Sequence, residues 1–387
     1  MKYSDEKLSL CALGRIFGFE PTTALALISY CGSAEKVFRL SKDELEGITG
    51  PYFRYKDQIC TNKLDQAYKE LADLERRGIY YIGYTEDCYP SILKECSDAP
   101  TGLYIRSETA PEELWLTERN IAIVGTRDIS SYGRDWCERT VRGIASSESR
   151  SLIVSGLALG TDICAHRTAL DCGLPTIGVM ATGPESIYPH RNEGTARQMI
   201  STPGCALITD YPPGTSPLAI HFLRRNRIIA GLSQATILIE SKIKGGGMMT
   251  SRLAFSYNRD VYALPGRADD LRSQGCNRLI REKIADPLTS VEELMDSLGM
   301  KISRKRNRIS DREILEKLYR ESTSTEDIET MHSILCTIRK EREITIEDIA
   351  YLTGLPYHCV SKFCRLLESD GLLSTDLLQR CSIRDKN

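Results

Sequence analysis

Between residues 118 and 290, short apolar runs recur at helix-length intervals, each followed by glycine or a polar turn. The runs are Ile121–Val124, Leu152–Val154, Thr176–Met180, Ala206–Thr209, Thr236–Ile239 and Val261–Leu264. They are apolar at odd and even positions alike, so both faces of each strand must be covered. Intervening helices supply that cover, which predicts a Rossmann-like, doubly wound α/β fold with a mainly parallel sheet. Ligands of such sheets bind outside the carboxyl ends of the strands, so a site belongs among the residues that follow the runs.

A chain of 387 residues exceeds one typical core, and its flanks read differently from its middle. Residues 1–75 predict a bundle of short helices of the SAM or helix-hairpin-helix kind. Leu8, Leu10, Leu13, Ile16 and Phe17 lie at helical spacing, as do Ala24, Leu25, Leu27 and Ile28. Ser41 and Glu44 have the spacing of a capping box. Gly47-Ile-Thr-Gly50 is compatible with a hairpin that grips a DNA backbone, and a protein-interaction module fits equally well. Residues 76–298 make up the Rossmann-like domain with an N-terminal extension. Residues 299–308 read as a basic linker, with five basic residues between Lys301 and Arg308.

Residues 309–387 predict a winged helix-turn-helix. Thr345 caps a helix that Gly354 breaks, a second helix runs from Pro356 through Leu367, and Asp370-Gly371 turns into an apolar ribbon. Lys362 and Arg365 are offset there by Glu368 and Asp370, a mixture that suits an interaction module better than strong duplex binding.

The formal net charge of -2 means that a polyanion would need a local basic patch. The 14 cysteines are scattered without a C-x-x-C pair, and no basic segment leads into an apolar stretch at the N-terminus. They read as reduced thiols, with no metal site. No apolar run approaches the roughly 20 residues that cross a bilayer. A cytoplasmic protein without a membrane partner is the expectation.

Four strand ends carry candidate chemistry. Gly125-Thr126-Arg127 follows the first run and Gly156 to Asp162 the second. Glycine lets backbone N–H groups approach a phosphate, and the next helix offers its positive end. A tight turn also needs glycine whether or not anything binds. Gly245, Gly246 and Gly247, flanked by Lys244 and followed by Thr250, read as an anion cradle, with a flexible loop as the alternative. Phe222 precedes the crowded cluster Arg224, Arg225, Asn226 and Arg227. Guanidinium forks match phosphate oxygens and a phenyl ring can stack on a base. The residues of one helix cannot all point the same way, so one or two of these arginines are expected to be structural. Asp162 and His166, at i and i+4, are assigned structural roles along with Gly156 and Gly160: Asp162 as a helix cap, His166 as a half-buried, satisfied ring. No nucleophile elbow, zincin motif, Walker A or dinucleotide fingerprint is present, so neither catalysis nor a cofactor is expected.

In order, these segments resemble the DprA (Smf) family of DNA-processing proteins over roughly residues 80–290. The resemblance rests on Tyr89-Pro90, Ile123 to Arg127, Ser155 to Ala158, Gly160, Asp162 and Ala165-His166. It continues through Tyr188-Pro189, Asp210 to Pro212, Phe222, Arg225 to Ser233, Gly246, Thr250 and Pro265-Gly266. It implies a non-catalytic protein that binds single-stranded DNA, dimerises through the Rossmann-like domain, protects incoming strands in natural transformation and helps load RecA. Single-strand-binding protein is a further candidate partner. Carried over by motif, the pocket uses Gly125, Arg127, Phe222, Arg225, Asn226, Arg227 and Thr250. Three departures stand out: Gly245 to Gly247 replace a Ser-Gly-Ser, Leu223 replaces a proline, and Ala219 stands where relatives carry a basic residue. The competing reading is a protein that binds or processes a nucleoside phosphate on a related fold.

Overall fold

The computed structural model describes residues 2–18, 20–301, 311–320, 323–341, 344–376 and 379–383. Nearly all of the basic linker, residues 302–308, lies outside the described residues. The described residues up to 301 form one compact unit and those from 311 onward a second.

In the first unit, helices α1 (Asp5–Phe17), α2 (Pro21–Cys31), α3 (Ala34–Arg39), α4 (Lys42–Thr49) and α5 (Thr61–Arg76) come first. Strand β1 (Tyr80–Gly83), the short helix α6 (Ser91–Lys94) and β2 (Gly102–Arg106) follow. The alternating region then runs β3 (Arg119–Val124), α7 (Ser131–Ala145), β4 (Ser151–Ser155), α8 (Thr161–Asp171), β5 (Thr176–Val179), α9 (Glu193–Ser201) and β6 (Ala206–Thr209). It ends with α10 (Ala219–Gly231), β7 (Ala235–Leu238), α11 (Gly246–Ser256), β8 (Asp260–Ala263), α12 (Gln274–Arg281), β9 (Asp286–Pro287) and α13 (Val291–Ser297).

These strands form one sheet in the order β1-β2-β6-β5-β4-β3-β7-β8-β9. From β6 to β9 all neighbours are parallel, while β1, β2 and β6 pair antiparallel. Each of the six apolar runs is a strand. The antiparallel edge strands β1 and β2, and the short β9, were not among those runs.

The apolar residues on both faces find the cover they require. Ala122, Val124, Leu152 and Val154 pack with Ile228 and Ile229 of α10 and with Met248 and Ala254 of α11. Ile121, Ile123 and Ile153 pack with Val141 of α7, Ala165 of α8 and Leu294 of α13 on the other side. Helix α1 packs on two sides: Leu10, Leu13 and Phe17 meet α2 and α3, while Leu8, Cys11 and Ala12 meet Tyr81 of β1 and Tyr104 of β2. The capping box forms, with Ser41 Oγ accepting from Glu44 N at 3.2 Å and the Glu44 carboxylate accepting from Ser41 N at 2.8 Å.

The winding reverses at β3. The chain moves outward from β3 through β4 and β5 to β6, then returns to lay β7 along the other side of β3, with Ile121 opposite Ala235 and Val124 opposite Leu238. The loops leaving β3 and β7 therefore diverge to opposite faces and leave a crevice at the carboxyl rim.

The second unit holds α14 (Asp311–Tyr319), α15 (Thr325–Glu341), β10 (Ile344–Thr345), α16 (Ile346–Thr353), α17 (Tyr357–Ser369), β11 (Leu373–Thr375) and β12 (Arg380–Ile383). Its strands make an antiparallel sheet ordered β10-β12-β11 over a core that includes Leu315, Met331, Ile334, Val360 and Leu367. Thr345 Oγ1 caps α16 by accepting from Asp348 N at 3.2 Å, and Gly354, at φ +68°, ends that helix in a left-handed conformation. None of the 14 cysteines forms a disulfide. Among the described residues no helix is long and apolar enough to cross a membrane.

Candidate nucleic-acid interface

The loop leaving β3 is pressed against the start of α8. A Cβ on Gly125 would lie 2.9 Å from Thr161 Cβ, so this turn accepts only glycine without rearrangement. Thr161 N donates to the Thr126 carbonyl at 3.1 Å, and Thr126 Oγ1 accepts from Asp128 N at 3.2 Å. The Thr126 hydroxyl is thus engaged within its own loop. Ser130 caps α7. Glu240, buried just beyond β7, accepts from Ser130 N at 2.9 Å and from Ser130 Oγ at 2.5 Å. That carboxylate occupies the positive end of α7 and ties the β3 and β7 loops together.

Arg127, on the exposed tip of the same loop, places its guanidinium 5.6 Å from the centroid of the Phe222 ring. Phe222 comes from the first turns of α10 and also meets Tyr188, with centroids 5.5 Å apart and planes at 58°. Sequence reasoning noted Tyr188 only as part of a motif; a tyrosine in a long loop has no periodic neighbours to give it away.

Across the crevice, Gly245 is the N-cap of α11 and no side chain caps that helix. Its first N–H groups have no intrahelical acceptor. Gly246 is exposed, and only Asn226 Nδ2, 3.9 Å away, would approach a Cβ there; Gly247 is buried, its would-be Cβ 2.5 Å from Leu238 Cδ1. Lys242 and Lys244 are exposed on the approach. The three glycines therefore differ in purpose: Gly247 lets α11 pack on β7, and Gly246 leaves the helix end open.

The rest of the expected pocket faces inward. The guanidinium of Arg225, 5% exposed, donates to the Val179 carbonyl and to Asn226 Oδ1, beside the buried Asp162 carboxylate. Arg227 is paired with Asp210 and donates to the Asp98 carbonyl. Neither is placed to reach a bound strand. Asn226, 8% exposed, spans from Arg225 to the Gly246 carbonyl at 3.5 Å, and Thr250, 1% exposed, donates to that carbonyl at 3.3 Å. These two fix the cradle from beneath. Arg224 is half-buried on α10.

Asp162 does not cap α8. Gly160 holds the N-cap position, and Asp162 turns back to accept from Ala158 N at 3.4 Å near Arg225. Burial raises its carboxyl above the ordinary value, with Arg225 opposing. His166 is wholly rather than half buried. Its Nε2 donates to the Gly156 carbonyl at 2.6 Å and its Nδ1 lies 2.7 Å from Thr176 Oγ1. Burial pushes its pKa down to about 4, so the ring is neutral. Among the described residues no three His, Cys, Asp or Glu side chains gather as metal ligands.

At the rim, acidic groups are matched. Asp128 pairs with Arg272 at 2.6 Å, Asp162 faces Arg225, and Asp210 is spent on Arg227. Arg127, Lys242 and Lys244 are exposed, as is Tyr188, whose ring meets the half-buried Phe222.

The family model for DNA recombination-mediator protein A matches residues 80–299. The chain is 39% identical over 197 residues to the DNA processing protein DprA of Streptococcus pneumoniae, covering 51% of this chain and 67% of that protein. It is 34% identical over 255 residues to protein Smf of Escherichia coli, covering 65% of each. The match thus spans about two thirds of the length of these curated relatives. The X-ray structure of the Streptococcus pneumoniae protein superposes with a TM-score of 0.63 at 30% identity, over 76% of this chain and 98% of that one. DNA processing protein A of Helicobacter pylori, whose structure concerns its unique single-stranded DNA binding mode, superposes with a TM-score of 0.50 at 28% identity, over 57% of this chain and 95% of that one. With the family model matched across the whole sheet and its rim, this chain belongs to the family of DNA recombination-mediator protein A.

Proposed function

We propose that the rim between β3 and β7 binds single-stranded DNA, without turnover, as part of a recombination-mediator role. The observation that carries this reading is the exposed Arg127 beside the half-buried Phe222 ring, at the same rim as an uncapped, glycine-lined helix end. It joins a cation, a ring and backbone donors, which are the parts that recognise a phosphate-linked chain of bases. Protection of incoming strands, assistance to RecA in natural transformation and homodimerisation follow from family membership as further parts of the proposal, and cytoplasmic residence is added to it on the scattered cysteines without a C-x-x-C pair. Single-strand-binding protein is a candidate partner in the same sense.

The contacts are Arg127, Phe222, Lys244 and the backbone around Gly246, with Arg225, Asn226, Arg227 and Thr250 as supports. Nucleoside-phosphate processing needs an acid or nucleophile at the cradle. The carboxylate nearest by chain is Glu240, and its two oxygens are taken by Ser130. Oligonucleotide titration across a salt series tests the reading: log affinity falls linearly with log salt, with slope about −0.7 per neutralised phosphate. Tight binding of a mononucleotide with none of an oligonucleotide would overturn it.

A further inference from the structure

Tyr188, the exposed ring beside Phe222, stands outside the pocket proposed above. Phe222 is half-buried, with the Arg127 guanidinium 5.6 Å from its centroid and the Tyr188 ring 5.5 Å away. Tyr188 keeps 45% of its surface open. Three residues further along the chain, Arg191 is exposed and has no acidic partner among the described residues.

The loop that carries both is held rigidly. Gly183 N donates to the Thr215 carbonyl at 3.0 Å, Gly214 N to the Glu185 carboxylate at 2.6 Å, and Asn192 Nδ2 to the Leu157 carbonyl at 2.7 Å. This loop leaves β5, and the sheet order puts β5, β4, β3 and β7 side by side. At about 4.8 Å between strands, the carboxyl rim from β7 to β5 is roughly 14 Å long. A chain bound at the glycine cradle and passing Phe222 arrives at Tyr188.

We propose that Tyr188 and Arg191 form a second single-strand subsite, in which Tyr188 stacks a base and Arg191 neutralises an adjoining phosphate. This subsite rests on the rim's binding single-stranded DNA. A stacked base needs only a π-face, so this subsite is indifferent to sequence.

The test uses the full chain, short and long oligodeoxythymidylates, and three variants. Tyr188→Leu keeps apolar bulk against Phe222 but has no π-face; it weakens long-oligonucleotide binding about tenfold. Tyr188→Phe matches wild type. Arg191→Ala makes the salt slope for the long oligonucleotide shallower by about 0.7 and leaves that for the short one unchanged. Wild-type affinity in Tyr188→Leu, or an unchanged slope in Arg191→Ala, overturns the subsite while the rim reading stands. A wild-type chain that binds no oligonucleotide overturns both.

Discussion

The guanidinium of Arg127, from the loop after β3, lies 5.6 Å from the centroid of Phe222, from α10. The two residues are 95 positions apart, brought together by the reversal of winding at β3. Among the described residues Arg127 forms no salt bridge, and its only recorded acidic neighbour is Asp162, which is buried beside Arg225, so the cation remains available to an anion.

Arg127→Ala is therefore expected to make the salt slope of oligonucleotide binding shallower by about 0.7, the share of one phosphate, while the melting temperature stays near wild type. Phe222→Ala weakens binding by about 1–3 kcal/mol at all salt concentrations and leaves the salt slope unchanged, because stacking releases no counterions. Fluorescence anisotropy across a salt series reads both. A slope unchanged in Arg127→Ala would remove this residue from the interface.

Arg227 behaves differently because it is internal. Removing it leaves Asp210 as a buried carboxylate without its cation, and Asp210 Oδ1 already has no hydrogen-bond partner. Arg227→Ala is expected to lose about 3–5 kcal/mol of stability. Adding Asp210→Asn should restore part of that loss, because no buried charge then stands alone. Urea unfolding of the single and double variants measures the coupling.

The distinction between these arginines was partly legible. On α10, the buried positions include His221, Arg225, Ile228 and Ile229, which follow i, i+4, i+7 and i+8. Arg225 thus lies on the apolar stripe, and helical phase alone assigns it inward. Arg227 lies off that stripe, and its partners Asp98 and Asp210 are supplied by distant loops that no local pattern links to it. The six parallel strands were readable because each is buried on both faces. Strands β1 and β2 were harder because they interleave tyrosine and glycine with the aliphatics. They join the sheet only through register, such as Ile105 opposite Ile208.

His166 makes stability depend on pH. Its folded pKa of about 4 lies below the ordinary 6.5, so the unfolded chain takes up a proton that the folded chain refuses. The contribution is complete above about pH 6.5 and is lost as pH falls toward 4, an amount of about 3 kcal/mol. Asp162 is shifted upward and acts in the opposite sense at lower pH. The His166 share is therefore read as the difference in pH slope between wild type and His166→Gln. Equal slopes would mean that the ring takes up its proton in the folded protein as readily as in the unfolded chain.

Gly246 offers the sharpest separation of fold from function. Its φ is not left-handed, and an added Cβ would meet only Asn226 Nδ2 at 3.9 Å, so alanine fits there without strain. Gly246→Ala reduces the freedom of the unfolded chain and is expected to stabilise the protein by about 0.4–1 kcal/mol. The same methyl projects at the exposed start of α11, where the proposed contact is between backbone N–H groups and a phosphate. A phosphate kept back by a methyl loses those short bonds, so oligonucleotide affinity should fall while the melting temperature rises. Gly247→Ala, which would collide with Leu238, should lower both. If Gly246→Ala were more stable and bound DNA as tightly as wild type, the uncapped end of α11 would be a packing feature and the strand would have to be held by side chains alone.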